Sequence, residues 1–156
     1  MRNVLRTLLI GLAISSLGLC ASDNTAGTWK RNVEKSKTTP QVANPVTSLT
    51  ITNKPVDGGV EISVSGQRKD GTPISSNYTV KYDGKEYPVT GAPWDMMAMK
   101  QVNANTVTFE ARKTDSKYHV TGKTVISKDG KTMTTTTKGT NTEGKPSTSK
   151  AVYDKQ

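Results

Sequence analysis

The chain has 156 residues with 22 basic and 13 acidic side chains, one histidine and one cysteine, a formal net charge of +9. So few histidines and cysteines exclude a His-based zinc site, which needs three or four ligands, and a disulfide framework. The lysines are spread along the chain rather than clustered, so the positive charge reads as solvated turn and strand cations that keep a β-protein soluble, not as a dedicated anion or nucleic-acid interface.

The first stretch is MRNVLRTLLIGLAISSLGLCAS. Arg2 and Arg6 form a positive leader, and Thr7 to Leu19 is an uncharged, mostly apolar run. That run is shorter than the ~20 residues a membrane-spanning helix needs. With the small residues at its end it reads as a secretory signal peptide, residues 1–21, cut after Ala21. A lipoprotein signal also ends at a cysteine, but Leu19 stands before Cys20 where that signal carries Gly or Ala. Secretion or periplasmic export without a lipid anchor is therefore expected. Cleavage leaves 135 residues at a charge of +7, without cysteine and without a membrane span. Residues 22–156 are read as one domain.

After residue 22 the pattern is strand and turn. Gly27 to Lys30 reads GTWK, the first strand, near 26–32. Asn32 to Pro45 is read as the one long connection, with room for a helical turn at Val33 to Lys37; Pro40 and Pro45 forbid a continuous helix. Asp57-Gly58, Asp70-Gly71, Asp83-Gly84, Asp129-Gly130 and Glu143-Gly144 are hairpin signals, because tight type I′ turns need positive φ. Between them apolar and polar residues alternate: Leu49 and Ile51; Val60, Ile62 and Val64; Tyr78, Val80 and Tyr82; Val107, Phe109 and Ala111. Period two means one face in and one face out. The strands are predicted near 26–32, 46–54, 59–68, 73–82, 85–90, 95–102, 105–113, 117–127, 131–139 and 147–154.

Long strands joined by sequential hairpins form a meander, and a wide meander closes to remove its edges. The fold class is thus all-β: an antiparallel up-and-down meander closing into a barrel of about 8–10 strands. Its outward positions are Thr, Ser, Lys and Glu, unlike the apolar belt of a membrane barrel.

GTWK at the start and VYDKQ at the end, Val152 to Gln156, resemble the first and last strands of lipocalins and fatty-acid-binding proteins. GTWKRNVEKSK, YDGKEYPVTG and SKDGKTM further resemble a group of secreted, lipocalin-like bacterial proteins without an assigned activity. The resemblance implies that Trp29 plugs the closed end of the barrel, a structural role. In the fatty-acid-binding group an Arg-x-Tyr pair in the last strand holds the ligand carboxylate. Aligned on Tyr153, the arginine position is Ala151, and Lys150 belongs to the other face. No arginine is therefore expected to hold a carboxylate, and the two-helix lid of that group has no counterpart in Asn32 to Pro45.

Catalysis is not expected. His119 is expected on an exposed face opposite Tyr118 and Val120. No nucleophile elbow is present, and Glu61 and Glu110 lie opposite the apolar residues. APWDMMAMK, Ala92 to Lys100, is the chemically unusual stretch: methionines adapt to variable apolar shapes. Met97 and Met99 share a face and Met96 does not, which disfavours a copper site. With Tyr78, Phe109 and Tyr153 they are the candidate pocket residues. The expectation is a monomeric carrier of a small apolar or amphipathic molecule, without cofactor. An envelope protein using its basic exterior on glycans, lipid head groups or a protein is the alternative. The inward face separates the two, because a filled barrel has no room for a ligand.

Overall fold

A computed structural model of the chain describes residues 23–156. The signal peptide read at 1–21, with Cys20, lies outside the described residues. Ten strands follow one another: β1 (Gly27–Thr39), β2 (Val46–Val56), β3 (Gly59–Arg68), β4 (Pro73–Lys81), β5 (Asp83–Pro88), β6 (Met96–Asn103), β7 (Thr106–Arg112), β8 (His119–Ile126), β9 (Thr132–Thr140) and β10 (Pro146–Lys155). No helix among the described residues is long and apolar enough to cross a membrane.

All ten strands form one antiparallel sheet in the order β4-β3-β2-β1-β10-β9-β8-β7-β6-β5, nearly closing into a barrel. Alternation drives the curl: inward residues of neighbouring strands meet on one face, while the outer face carries cross-strand rows of lysine and threonine. In one such row Lys100 stands opposite Thr108, Thr108 opposite Lys123, Lys123 opposite Thr136 and Thr136 opposite Lys150. The threonine run of β9 thus supplies β-branched residues to both faces, where they suit extended backbone.

Two expectations are corrected. Asp83-Gly84 is not a hairpin turn. β4 and β5 are consecutive in the chain yet form the two edges of the sheet. The reason lies at Tyr82, whose backbone N–H donates to Gly58 O (2.8 Å) and whose hydroxyl donates to Asp23 (2.6 Å). These bonds turn the chain towards the barrel end and away from pairing. At the other end of this seam the loop between β5 and β6 packs on β4. A Cβ on Gly91, which sits at φ 76°, would lie 2.3 Å from Ser75 O, so only glycine allows this approach.

The second correction concerns Asn32 to Pro45. Much of it is strand, not connection, and no helical turn forms. β1 pairs with β10 at Asn32↔Val152 and again at Lys37↔Lys150, so four residues of β1 bulge out opposite one of β10. Side chains hold the bulge. Asn32 Oδ1 accepts from Lys35 N (3.1 Å), Ser36 Oγ donates to Asn32 O (2.6 Å), and Ser36 Oγ accepts from Val152 N (3.0 Å). Local side-chain bonds of this kind compete with a regular ladder.

The core divides in two. The larger cluster, with Val60, Val80, Met97 and Val107 among its members, lies under β3, β4, β6 and β7. The smaller one gathers Ile126, Met133, Ala151 and Tyr153 around Trp29, which is fully buried. The indole N–H of Trp29 donates to Thr25 O (2.7 Å), which also accepts from Asn53 Nδ2 (3.1 Å). The Lys155 ammonium lies 5.0 Å from the Trp29 ring, a cation–π contact. Residues 23–26 are thereby fastened across this end, with Asp23 bridging to Tyr82. Trp29→Ala removes this packing and one of the two hydrogen bonds to Thr25 O. It is expected to cost about 3–5 kcal/mol, read as a lowered urea midpoint. A variant that unfolds with the parent contradicts the assignment.

Candidate functional site

The inward side chains do not fill the barrel. A cavity of about 330 Å³ runs through its interior, at the small end of the ~300–1,000 Å³ typical of ligand pockets. All five candidate pocket residues line it: Met97, Met99, Tyr78, Phe109 and Tyr153. Met99 stands opposite Phe109 across β6 and β7. The Phe109 ring occupies the space over Gly122, where a Cβ would come 2.2 Å from Cζ. The missing side chain at Gly122 therefore lets the ring lie flat against β8.

The walls differ. β2, β3, β4, β6 and β7 offer Leu49, Ile62, Val64, Tyr78, Met97 and Val107. β8, β9 and β10 offer hydroxyls that satisfy one another: Thr124 with Thr135 (2.9 Å) and Thr137 with Ser149 (2.7 Å). Away from Trp29, Trp94 of the β5–β6 loop stacks on Tyr118 with centroids 6.2 Å apart and planes 15° apart. Both rings line the cavity.

Two arginines line the cavity, and among the described residues no Asp or Glu does. Arg31 and Arg68 were not among the expected pocket residues. Arg31 sits on β1 directly opposite Tyr153 of β10, so both side chains share the inner face. Its positive charge is close enough to Tyr153 to oppose the rise in the tyrosine's pKa. Its Nε is buried with no hydrogen-bond partner. Arg68, at the end of β3, donates from Nη1 to Asn44 O (3.1 Å).

The buried side-chain polar atoms left unpaired among the described residues are Arg31 Nε, Asn53 Oδ1 and Trp94 Nε1. Each belongs to a residue that lines this cavity. Such atoms are rare in folded proteins. The sequence reading missed all three and Arg68. The signal was present for three of them. Arg31 lies two residues from Trp29, Asn53 two from Ile51, and Arg68 continues the even-numbered inward series of Val60, Ile62 and Val64.

Burial pushes the Tyr78 hydroxyl well above its ordinary pKa, and the neighbouring Tyr153 adds to the shift. Burial also raises Tyr153, against the charge and hydrogen bond of Arg31, which lower it. Tyr82 is raised by burial and by its bond to Asp23.

Elsewhere, His119 is exposed on the outer face, its Nε2 2.6 Å from Glu110 Oε1. A broader depression of about 560 Å³ is bordered by Lys100, Lys123 and Lys138 of the outer face. None of the unpaired buried atoms belongs to its lining. No cluster of three His, Cys, Asp or Glu occurs among the described residues.

No family model matches the sequence, and no curated protein matches it. Among solved structures the chain is similar to that of EF1p2_mFAP2b bound to DFHBI. That likeness has 10% identity over 85% of this chain and 94% of that chain, with a TM-score of 0.47.

The three tyrosines set a pH dependence. Each holds its proton more tightly in the folded chain than the ordinary value of about 10. Above that pH the folded state binds more protons than the unfolded one, so stability falls as pH rises and is fully present below it. Melting temperatures are expected to hold between pH 7 and 9 and to drop by pH 11, with a smaller drop in Tyr78→Phe. A melting temperature that holds through pH 11 contradicts this.

Proposed function

We propose that this chain is a non-catalytic, lipocalin-like carrier that holds one small amphipathic molecule inside its barrel, in the periplasm or outside the cell. The observation that carries the reading is the interior cavity. Protein interiors are close-packed, with few voids larger than a water molecule. A 330 Å³ interior space is costly when unfilled, and a ligand's contacts offset that cost. The methionines suit the role, since a flexible, polarizable side chain adapts to the shape it meets. The leader at residues 1–21 supports export.

The test uses a neutral apolar fluorophore, N-phenyl-1-naphthylamine, so that charge does not guide the probe. Micromolar-range binding is expected. Met99→Lys places an unpaired charge in the apolar wall and weakens it by about tenfold or more. Lys150→Ala, on the outer face, leaves it unchanged. The opposite pattern, with Lys150→Ala abolishing binding and Met99→Lys sparing it, puts the ligand on the basic exterior and replaces the carrier with an envelope-binding protein.

A further inference from the structure

We propose that the outer face from β6 round to β1 binds an acidic polysaccharide, its carboxylates laid along a row of lysines. The site lies outside the barrel, and the proposal does not depend on what the cavity holds.

Along the chain these lysines are scattered; the register gathers them. Across β6, β7, β8, β9, β10 and β1 one row reads Lys100, Thr108, Lys123, Thr136, Lys150 and Lys37. Its lysines are all exposed, as is Lys138, the next outward residue of β9 after Thr136. Lys100, Lys123 and Lys138 border the outer depression of about 560 Å³. The ion pairs of the described residues are Arg112–Glu86, His119–Glu110 and Lys145–Glu143, and none of them involves these lysines. Glu110, the acid that lines the depression, is thus taken by His119. Asp83 ends the row opposite Lys100, where its carboxylate accepts from Lys85 N and the Tyr87 hydroxyl.

Protection of the sheet does not account for this placement. Lysines that block unwanted strand pairing belong on edge strands, and the edges here are β4 and β5. The row instead uses β6, β8, β10 and β1, each flanked by strands on both sides. Lys37 and Lys150 stand directly opposite one another, a like-charge pairing that destabilises a sheet. Across β2, β3 and β4 the outer rows are neutral, Thr52, Ser63 and Asn77, then Thr50, Ser65 and Ser75, and Lys54 there faces an acid, Glu61. Repulsion is therefore concentrated on one face, and an anion from outside relieves it. Spacing and shape select that anion. Alternate strands lie about 10 Å apart, so Lys100, Lys123 and Lys150 repeat on that interval with a threonine hydroxyl between them. A polysaccharide with one carboxylate per disaccharide repeats its charge on the same scale and offers hydroxyls to the threonines. A nucleic-acid backbone is far more densely charged. The row crosses the strands and follows the convex curve of the barrel, which a flexible thread tracks and a flat bilayer does not. The exposed apolar residues beside it, Val102 and Val125, lack the aromatic ring that anchors a protein at a membrane interface.

The probe is a dye-labelled hyaluronan decasaccharide, its binding followed by fluorescence polarisation at neutral pH. Binding is expected at about 0.02 M salt and a loss of about tenfold or more by about 0.5 M, where the screening length is shorter than the lysine spacing. Lys100→Gln, Lys123→Gln and Lys150→Gln each weaken binding about two- to fivefold, and the three together about tenfold or more. Lys54→Gln, Lys69→Gln and Lys81→Gln combined remove the same charge from elsewhere on the surface and leave binding within about twofold of the parent. The triple variant of the row is expected to melt no lower than the parent, because it removes the repulsion between Lys37 and Lys150. Absence of binding at low salt overturns the inference. Equal losses in the two triple variants overturn it as well, since net charge alone then explains the binding. Vesicles of phosphatidylglycerol that bind through the row while hyaluronan does not replace the polysaccharide with a membrane surface. Fluorophore binding inside the barrel is a separate measurement, so the carrier reading and this inference stand or fall independently.

Discussion

The ladder between β1 and β10 joins the first strand of the chain to the last, Trp29 opposite Lys155 and Arg31 opposite Tyr153. Without it the chain has two arms, β1–β4 and β5–β10, and no enclosed space. With it the sheet is continuous from β4 round to β5, and the break falls between two strands adjacent in sequence. The same ladder seats the indole at one end and sets a cation beside a buried phenol. Its bulge at residues 33–36, pinned by Asn32 and Ser36, absorbs surplus chain length while the register above and below stays antiparallel.

The interior is asymmetric in what it leaves unpaired. The hydroxyl-bearing wall of β8 to β10 satisfies itself, Thr124 with Thr135 and Thr137 with Ser149. The floor satisfies itself apart from Asn53 Oδ1, with Thr25 O taking two donors. What remains is donor capacity at Arg31 and Trp94 in a space without carboxylates. A buried polar network that is complete stabilises one packing, whereas an incomplete one is costly.

Alternation and turn chemistry made most of the fold legible. Period two over Val60 to Val64 and Val107 to Ala111 fixed which residues face inward, and Asp57-Gly58 is a two-residue turn between β2 and β3. The seam was not legible, because Asp83-Gly84 has the same chemistry as the other turn pairs. What unpairs β4 from β5 is a long-range bond from Tyr82 to Asp23, 59 residues away. The bulge in β1 was hidden for a similar reason: Asn32 and Ser36 look like loop residues until Val152 is brought beside them. Arg31 was legible in principle. If Trp29 faces inward, so does the residue two positions on. That its Nε has no partner depends on every neighbour at once, and no local pattern carries that information.

The central claim is that the barrel closed by β1 and β10 encloses a space that takes one small apolar or amphipathic molecule among Met97, Met99 and Phe109. NMR of the protein with its methionine methyl groups and lysine side chains labelled reports on that contact at the atoms concerned. On adding a neutral apolar molecule, the Met97 and Met99 methyl signals should shift and show proton contacts to it, because flexible methionine side chains adapt to what they meet. Methionine signals that do not move while lysine signals of the outer face do contradict the account.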